Sequence, residues 1–280
     1  MSGTILFGVD VESASDASAG FAQYAEELFR ELNTPVTWYL TGKTLELYPD
    51  VFRRLKGHPL IELQAHTYSH TLLKTVLTQL SEGRPIGPAT KWEMTRGGSV
   101  EEIDRDLGKC QDVFEKVLGR RAAGLTGPWA YYRGLGDRPD LLEIADRHGF
   151  KILRTFGRDE RDSQPVPLEW QPFFYEVQGF PHILEIMAHD YQDDYMWQRF
   201  ARPEAGESYL DHLKRVADQI AQKELTWSLC SHDHGCQSRE TFEKRGSWFR
   251  GIIQYAKGLD IRFLTASQFY QEMVSKKSTR

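Results

Sequence analysis

Residues 5–12 have the sequence Ile-Leu-Phe-Gly-Val-Asp-Val-Glu, an apolar run that ends on two carboxylates. A run of this length, rich in β-branched and aromatic residues, is typical of a buried strand. Comparable runs alternate with amphipathic stretches along the chain, which is the pattern of βαβ crossovers and a parallel sheet. The sequence therefore predicts an α/β fold with Asp10 and Glu12 at the end of its first strand.

The order of these runs predicts about eight strands and seven helices. The strands are predicted near Ile5–Asp10, Val36–Leu40, Ile61–Gln64, Ala122–Leu125, Lys151–Arg154, Ile183–Met187, Thr226–Ser231 and Ile261–Leu264. The helices are predicted at Ala19–Leu32, Leu45–Leu55, Ser99–Leu118, Leu141–His148, Ser208–Gln222, Arg239–Lys257 and Ala266–Met273. Ser99 and Glu102 have the spacing of a capping box. This pattern indicates one domain, residues 1–280, folded as a distorted (β/α) barrel with seven or eight parallel strands.

Two segments interrupt the alternation and are predicted to be loops or insertions. Residues Thr71–Gly98 are rich in Gly, Pro and Thr, and residues Phe156–Gly179 contain three prolines and several charges. In a barrel, the residues that follow the carboxyl ends of the strands face the active site. The chemically active side chains are therefore expected at those ends.

The amino-acid composition argues against nucleic acids and membranes as binding partners. The chain has 35 Lys and Arg residues against 40 Asp and Glu residues, for a net charge of −5, and its basic residues are scattered. This charge pattern excludes nucleic acid as an expected partner, and no apolar stretch reaches the ~20 residues needed to cross a membrane. With three cysteines and no signal-like start, the sequence predicts a cytoplasmic protein without a disulfide framework.

Two histidines follow the third predicted strand. His66 and His70 are separated by Thr-Tyr-Ser, and in an extended strand they would lie ~13 Å apart. A turn at the strand end would bring both imidazoles to one face, where they could chelate one ion. The intervening residues include no Glu, so a catalytic base has to come from elsewhere, and Asp10 or Glu12 could supply it. A pair of structural histidines is the alternative.

A second histidine-containing segment follows the strand at Thr226–Ser231. Cys230, His232, His234 and Cys236 alternate with a period of two. In an extended run they would span ~20 Å, which is too far for one tetrahedral zinc ion, so a structural zinc site is disfavoured. The preferred interpretation places one histidine in the barrel mouth as a general acid.

Residues 124–134, Gly-Leu-Thr-Gly-Pro-Trp-Ala-Tyr-Tyr-Arg-Gly, follow another predicted strand and are dense in aromatic rings. The segment could be a loop that packs its rings on the core. It could instead line a pocket with stacking surfaces suited to sugars. In that case the backbone N–H that follows Pro128 could donate to an oxyanion.

Taken in chain order, these motifs resemble the polysaccharide deacetylase family, the NodB-homology carbohydrate esterases. The similarity covers most of the chain and rests on Asp10/Glu12, His66-Thr67-Tyr68-Ser69-His70, the Pro128 loop and Leu229-Cys230-Ser231-His232. The resemblance implies a distorted (β/α) barrel that hydrolyses amides with a divalent cation, zinc by preference. Carried over to this sequence, it implies Asp10 as base, His232 as acid, Glu12, His66 and His70 as metal ligands, and Pro128 and Trp129 as pocket residues, with the Trp129 N–H donating to the oxyanion.

The sequence departs from the family pattern at two of these positions. Glu12 stands where an aspartate is expected, so the site has to accommodate an additional methylene. Thr126 stands where the loop has an arginine, and Arg133 is the candidate to replace that arginine in orienting the base. The Asp-Val-Glu spacing resembles the Asp-x-Asp branch of the family, which includes intracellular hydrolases of small amides and cyclic imides.

The residues Asp190–Tyr195 resemble a substrate-side loop of the same branch, and a solvated acidic loop is the alternative. The implied reaction is removal of an N-acyl group, most simply acetyl, from an amino sugar or similar amide, so the expected partner is a carbohydrate or small molecule. A homo-oligomer is left open. The alternatives are ring opening of a cyclic imide or ureide, as in allantoinase-like relatives, and a catalytically silent sugar-binding barrel. His232 and His234 compete for the role of acid, and the spacing from Leu229 favours His232.

Overall fold

The computed structural model describes residues 3–79, 90–162, 165–190, 193 and 206–278. Its strands are β1 (Thr4–Val11), β2 (Val36–Leu40), β3 (Ile61–Ala65), β4 (Val76–Gln79), β5 (Trp92–Thr95), β6 (Gly124–Tyr132), β7 (Ile152–Arg158), β8 (Phe173–Tyr175), β9 (Phe180–Glu185), β10 (Thr226–His232) and β11 (Arg262–Phe263). Its helices are α1 (Asp16–Glu31), α2 (Gly42–Leu47), α3 (Pro49–Arg53), α4 (Val100–Leu118), α5 (Pro139–Arg147), α6 (Tyr209–Lys223), α7 (Arg239–Gly258) and α8 (Ala266–Ser278). None of these helices combines the length and apolar composition that crossing a membrane requires.

Parallel strands form the core of an α/β fold, a distorted (β/α) barrel. Their order in space is β10-β1-β2-β3-β6-β7-β9, and every neighbouring pair is parallel. The short β11 is parallel to the first residues of β1, and β8 runs antiparallel to β9 at the edge. The carboxyl ends of the parallel strands therefore lie at one end of the barrel. The fold class predicted from the sequence is confirmed.

Within the described residues, hydrogen bonds from His189 and Gln171 bridge the gap between the two outer parallel strands, β9 and β10. His189, which follows β9, donates its backbone N–H to the Ser228 carbonyl at 3.1 Å and accepts from the Ser228 N–H at Nδ1, also at 3.1 Å. The side-chain amide of Gln171 accepts from the Thr226 N–H at 2.8 Å and donates to the Thr226 carbonyl at 3.0 Å. Two side chains thus occupy positions that a neighbouring strand would take.

β1 runs through the centre of the core, and all eight of its residues are buried. Phe7 packs against Phe29 of α1 and Phe249 of α7, with ring centroids 5.3 and 5.1 Å away. Burial on both faces is expected for a parallel sheet covered by helices. Because the strand has no solvent-facing side, a carboxylate near its end requires a counter-charge or hydrogen bonds.

The structure corrects several predicted elements. The helix predicted at Leu45–Leu55 is two short helices, α2 and α3, because Pro49 has no N–H to donate and begins a new helix. The predicted loop Thr71–Gly98 contains the antiparallel pair β4 and β5, and its residues 80–89 lie outside the described residues. The predicted loop Phe156–Gly179 contains the end of β7 and all of β8. The capping box of Ser99 and Glu102 at the start of α4 is present.

Candidate active site

Glu12 lies just beyond the end of β1 and contacts three imidazoles. Its Oε2 is 2.7 Å from His66 Nε2 and 2.9 Å from His70 Nε2, and its Oε1 is 3.1 Å from His234 Nε2. Burial alone would raise the pKa of Glu12, but hydrogen bonds from these histidines lower it well below its usual value. Glu12 is therefore a carboxylate at neutral pH, with both oxygens directed at ring nitrogens.

His66 and His70 meet on Glu12 because the chain turns sharply after β3. Thr67 and His70 have positive φ values of 52° and 59°, and the two imidazole centroids are 4.9 Å apart. The turn that the spacing of the two histidines required is therefore present.

One carboxylate on α4 holds this turn. Asp106 accepts hydrogen bonds from the backbone N–H groups of Tyr68 and Ser69, at 2.6 and 3.1 Å, and from the hydroxyls of Ser69 and Thr71, at 2.5 and 2.8 Å. A positive φ at a residue other than glycine costs of order 1–3 kcal/mol. The four hydrogen bonds offset this cost and fix the direction of the histidine pair.

The orientation of His66 is set by the next strand of the barrel. Its Nδ1 lies 3.0 Å from the carbonyl oxygen of Thr126 on β6. Because a carbonyl only accepts, Nδ1 carries the proton, and Nε2 is the atom that faces Glu12. Burial lowers the pKa of His66, but the charges of Asp10 and Glu12 bring it above its usual value. A backbone carbonyl that fixes one ring nitrogen is a common support of metal-binding histidines.

His234 approaches Glu12 from the turn after β10. The buried Asp233 carboxylate fixes this turn by accepting from the N–H and hydroxyl of Ser13, at 3.2 and 2.7 Å, and from the Ser18 hydroxyl. The ring of His234 stacks on that of His232, with centroids 5.1 Å apart. His234 lies on the turn that leaves the strand, as expected, but its imidazole reaches back to Glu12.

Asp10 has a different set of partners from those of Glu12. Its Oδ1 accepts a hydrogen bond from Nη2 of Arg154 on β7, and its Oδ2 is 3.7 Å from Cys230 Sγ and 4.0 Å from His66 Nε2. Arg154 is 1% exposed, and its Nε donates to Thr126 Oγ1 at 3.0 Å. Asp10 is thus an ion-paired carboxylate in the core, beside the histidine cluster.

His232 ends β10 directly opposite Asp10 in the parallel register. Its Nδ1 is 2.6 Å from Asp193 Oδ1, and its backbone N–H donates to Asp193 Oδ2 at 3.1 Å. Burial disfavours the charged imidazole, but the carboxylate of Asp193 raises the pKa of His232 well above its usual value. With Nδ1 occupied, Nε2 is the atom left to face a substrate.

The structure places Pro128 and Trp129 on an irregular stretch of β6. Register shifts between Thr126 and Tyr131 interrupt the ladder to β7, and Trp129 has a φ of 65° and is 38% exposed. Both residues follow Thr126, whose carbonyl holds His66, so the stretch lies next to the histidine turn.

Arg133 does not reach Asp10. Its guanidinium lies 5.0 Å from the ring centroid of Tyr132 on the exposed side of the chain. The guanidinium that contacts Asp10 belongs to Arg154. The expectation that Arg133 orients the base is therefore corrected.

Two sequence features could have pointed to Arg154. The first is Arg154 itself, which follows Ile152-Leu153 in a predicted buried strand, where a charged residue is unusual without a buried partner. The second is Gly8 on β1, two residues before Asp10, where a Cβ would lie 2.7 Å from Arg154 Nη1. The missing side chain at Gly8 makes room for the guanidinium.

The acidic segment Asp190–Tyr195 is not a solvated loop at its two described carboxylates. Asp190 is buried and lies 2.7 Å from Nε2 of His212, and Asp193 is buried on His232. The other members of the segment, residues 191, 192, 194 and 195, lie outside the described residues.

The histidine cluster has the donor chemistry of a divalent-metal site. Glu12, His66 and His70 each offer one ligand atom, and these atoms lie within 4.8 Å of one another. One carboxylate and two imidazoles form the protein ligand set of several catalytic zinc sites. A cation in place of the hydrogen-bonded protons would need only small movements of these side chains, so the residues fit the ion that the sequence motif implies.

Comparison with known proteins agrees with the family resemblance that the sequence motifs indicated. Residues 14–152 match the family model for polysaccharide deacetylase, whereas no curated protein sequence gives a significant match. The fold is similar to that of a candidate polysaccharide deacetylase from Mycobacterium smegmatis, with 15% identity and a TM-score of 0.65 over 98% of this chain and 91% of that one. A candidate polysaccharide deacetylase from Pseudomonas aeruginosa PAO1 (14%, 0.64) and PuuE allantoinase (13%, 0.61) are also similar, each over 96% of this chain and 89% of the other. At these identities the likeness shows a shared fold.

Proposed function

Because the chain belongs to the polysaccharide deacetylase family, we propose that it is a divalent-metal-dependent hydrolase of a non-peptide carbon–nitrogen bond. The simplest substrate is an N-acetylated amino sugar or a related carbohydrate, and zinc is the preferred cation. The activity belongs to one catalytic domain, residues 1–280.

One observation carries this proposal: two carboxylates that are two residues apart at the end of β1 have opposite surroundings. Glu12 faces the imidazoles of His66 and His70, whereas Asp10 is paired with the guanidinium of Arg154. Imidazoles around a carboxylate suit a cation, and a guanidinium beside a carboxylate excludes one from that oxygen. The pair therefore supports a division into one ligand and one base.

When bound by Glu12, His66 and His70, a divalent cation supplies Lewis-acid polarisation of the scissile carbonyl and acidifies water. Asp10 takes the proton of the attacking water. The ion pair with Arg154 keeps the carboxylate charged and occupies Oδ1, which leaves Oδ2 as the accepting atom. Oδ2 is 4.0 Å from His66 Nε2, so the base lies next to the ligand set.

His232 supplies the proton that the leaving nitrogen requires. Asp193 holds its Nδ1, so Nε2 is the donating atom, and the raised pKa of His232 keeps the ring protonated at neutral pH. The backbone N–H of Trp129 donates to the carbonyl oxygen as negative charge develops there. The exposed indole beside it offers a stacking surface for a sugar ring.

The test combines metal analysis of the purified protein with a screen of products. We expect about one divalent cation per chain and release of acetate from N-acetylated amino sugars or their oligomers. His66→Ala and His70→Ala should each lose the cation and the activity, because each removes one ligand. His182→Ala is the matched control, since this half-exposed histidine pairs with Asp146 outside the site.

The other outcomes identify the alternatives. Ring-opened acids from cyclic imides or ureides, without acetate, would replace the deacetylase assignment by that of a cyclic amidohydrolase. Sugar binding without any product would indicate a silent binding barrel. Unchanged metal content in both histidine variants would remove Glu12, His66 and His70 as the ligand set.

A further inference from the structure

A second group of ligand-type side chains lies beside the histidine cluster. Asp10, Cys230 and His232 are buried, and one ligand atom of each lies within 4.8 Å of the other two. The group includes the base and the acid of the proposed reaction, but the thiol of Cys230 has no part in that reaction. The proposed reaction therefore does not explain why a cysteine occupies position 230.

The separations suit a small thiophilic cation. Two ligands of a tetrahedral zinc ion lie about 3.3–3.8 Å apart, given bonds of about 2.0–2.3 Å. Cys230 Sγ is 3.7 Å from Asp10 Oδ2, so this edge of the site is already at the required length. The remaining ligand is His232 Nε2, because Asp193 occupies Nδ1.

Arg154 adds an independent observation. Its Nη1 is buried and has no oxygen or nitrogen acceptor within the part of the chain that the structure describes, and the guanidinium interacts with the thiol of Cys230. This nitrogen lies over Gly8, whose register partner on β10 is Cys230. A neutral thiol is a weak acceptor, whereas a thiolate would offer the buried N–H groups a strong one.

We propose that Asp10, Cys230 and His232 form a second, inhibitory metal site that takes a thiophilic divalent cation such as Zn²⁺ or Cd²⁺. On binding, the S–H bond of Cys230 and the Nε2–H bond of the protonated His232 break, both protons pass to solvent, and sulfur–metal and nitrogen–metal bonds form, with no change in oxidation state. The buried carboxylate of Asp193 holds His232 in the tautomer that presents Nε2 to the cation. Arg154 remains on Asp10 Oδ1, so Oδ2 is the ligand oxygen.

A cation in this site occupies both groups that move protons in the proposed function, and the inhibitory part of the inference rests on that function. Binding there is weaker than at Glu12, because Arg154 and the first cation both repel a further positive charge. The site therefore fills only when free zinc or cadmium is in excess. Cation binding itself does not depend on which bond the enzyme hydrolyses.

The experiment titrates the protein as purified with Cd²⁺ and follows the ultraviolet thiolate-to-cadmium charge-transfer band. We expect one thiolate to bind per chain. Cys230→Ser should lose the band and weaken this binding by more than the roughly 10- to 100-fold that loss of an outer metal-site partner costs. Cadmium at Glu12, His66 and His70 gives no such band, because that site has no sulfur, so exchange of the first cation is distinguished.

The other two cysteines, Cys110 and Cys236, are buried and form no disulfide bond, which makes Cys110→Ser and Cys236→Ser matched controls that should retain the band. Cys230→Ala tests the same ligand should the serine variant not fold. A band that persists in the Cys230 variants, or one that disappears in Cys236→Ser, would overturn the site. So would a wild-type protein that gives no band.

A second arm tests inhibition. The excess zinc concentration that halves hydrolysis should rise more than about tenfold in Cys230→Ser relative to wild type. Equal sensitivity would overturn the inhibitory role. A protein that shows the band but hydrolyses no substrate would contradict the proposed function while leaving the metal site in place.

Discussion

The surroundings of Glu12 and of Asp10 differ although the two residues are neighbours on one strand end. Glu12 shares its surface with His70 and His234, whose side chains are 31% and 39% exposed. Asp10 lies among Arg154 and His232, whose side chains are at most 8% exposed. The group around Glu12 is open to solvent, whereas the group around Asp10 is shielded from solvent and includes the ion pair between Asp10 and Arg154. Two positions that are only two residues apart at the end of β1 are therefore suited to different roles, Glu12 to that of a metal ligand and Asp10 to that of a base.

The strongest test of the different roles of Asp10 and Glu12 is to remove one carboxylate charge at a time. Asp10→Asn should retain the cation and lower kcat by about 10²- to 10⁴-fold, because the proton acceptor is lost. Glu12→Gln should lose the cation, because a neutral amide is a poor replacement for an anionic ligand. Metal content and kcat of both variants are the measurements. If Asp10→Asn loses the cation and Glu12→Gln retains it, the two roles are reversed.

A stability measurement tests whether Asp10 depends on its buried partner. Arg154→Met should lower the free energy of unfolding by about 3–5 kcal/mol, because it leaves a charged carboxylate in the core without its counter-ion. Urea unfolding followed by circular dichroism measures this loss. Arg133→Met is the matched control, and its exposed contact with Tyr132 is worth only about 0.5–1 kcal/mol. If the two variants lose similar amounts of unfolding free energy, the ion pair between Arg154 and Asp10 does not stabilise the protein more than an exposed arginine contact does.

The smallest expected effect concerns the pH dependence of the acid. A general acid acts in its protonated form, so the rate falls as pH rises through the pKa of His232. The charge of Asp193 raises that pKa, and Asp193→Asn should therefore move the alkaline limb of kcat to lower pH. The pH profile of His234→Ala is the comparison, because His234 contacts Glu12 rather than Asp193. Loss of the alkaline limb in His234→Ala, with His232→Ala near wild type, would transfer the role of acid to His234.

Local patterns were sufficient to predict most of the fold. The apolar runs at Val36–Leu40 and Thr226–Ser231 coincide with β2 and with all but the last residue of β10. Their short length and β-branched content are local properties, which a single sequence shows. The predicted helix at Leu45–Leu55 failed at Pro49, where the missing N–H outweighs the apolar period.

The part of the site that rests on short spacings was also predictable. His66 and His70 required a turn to meet, and the turn is present. The partners Arg154 and Asp193 were missed because each lies far along the chain from the residue it contacts. Their pairing follows from the strand order, which places β7 and the segment after β9 around the end of β1, and no spacing in the sequence encodes that order.

The side chains of Gln171 and His189 have a consequence for the behaviour of the protein in solution. β10 has β1 on one side, and an outer strand edge with free N–H and C=O groups is a template on which a second chain can add a strand and start an aggregate. At Thr226 and Ser228 those groups are already bonded to the amide of Gln171 and to the ring and backbone of His189. A barrel that is closed by side chains rather than by a full ladder therefore still protects its open edge from intermolecular pairing, right beside the strand that carries the acid.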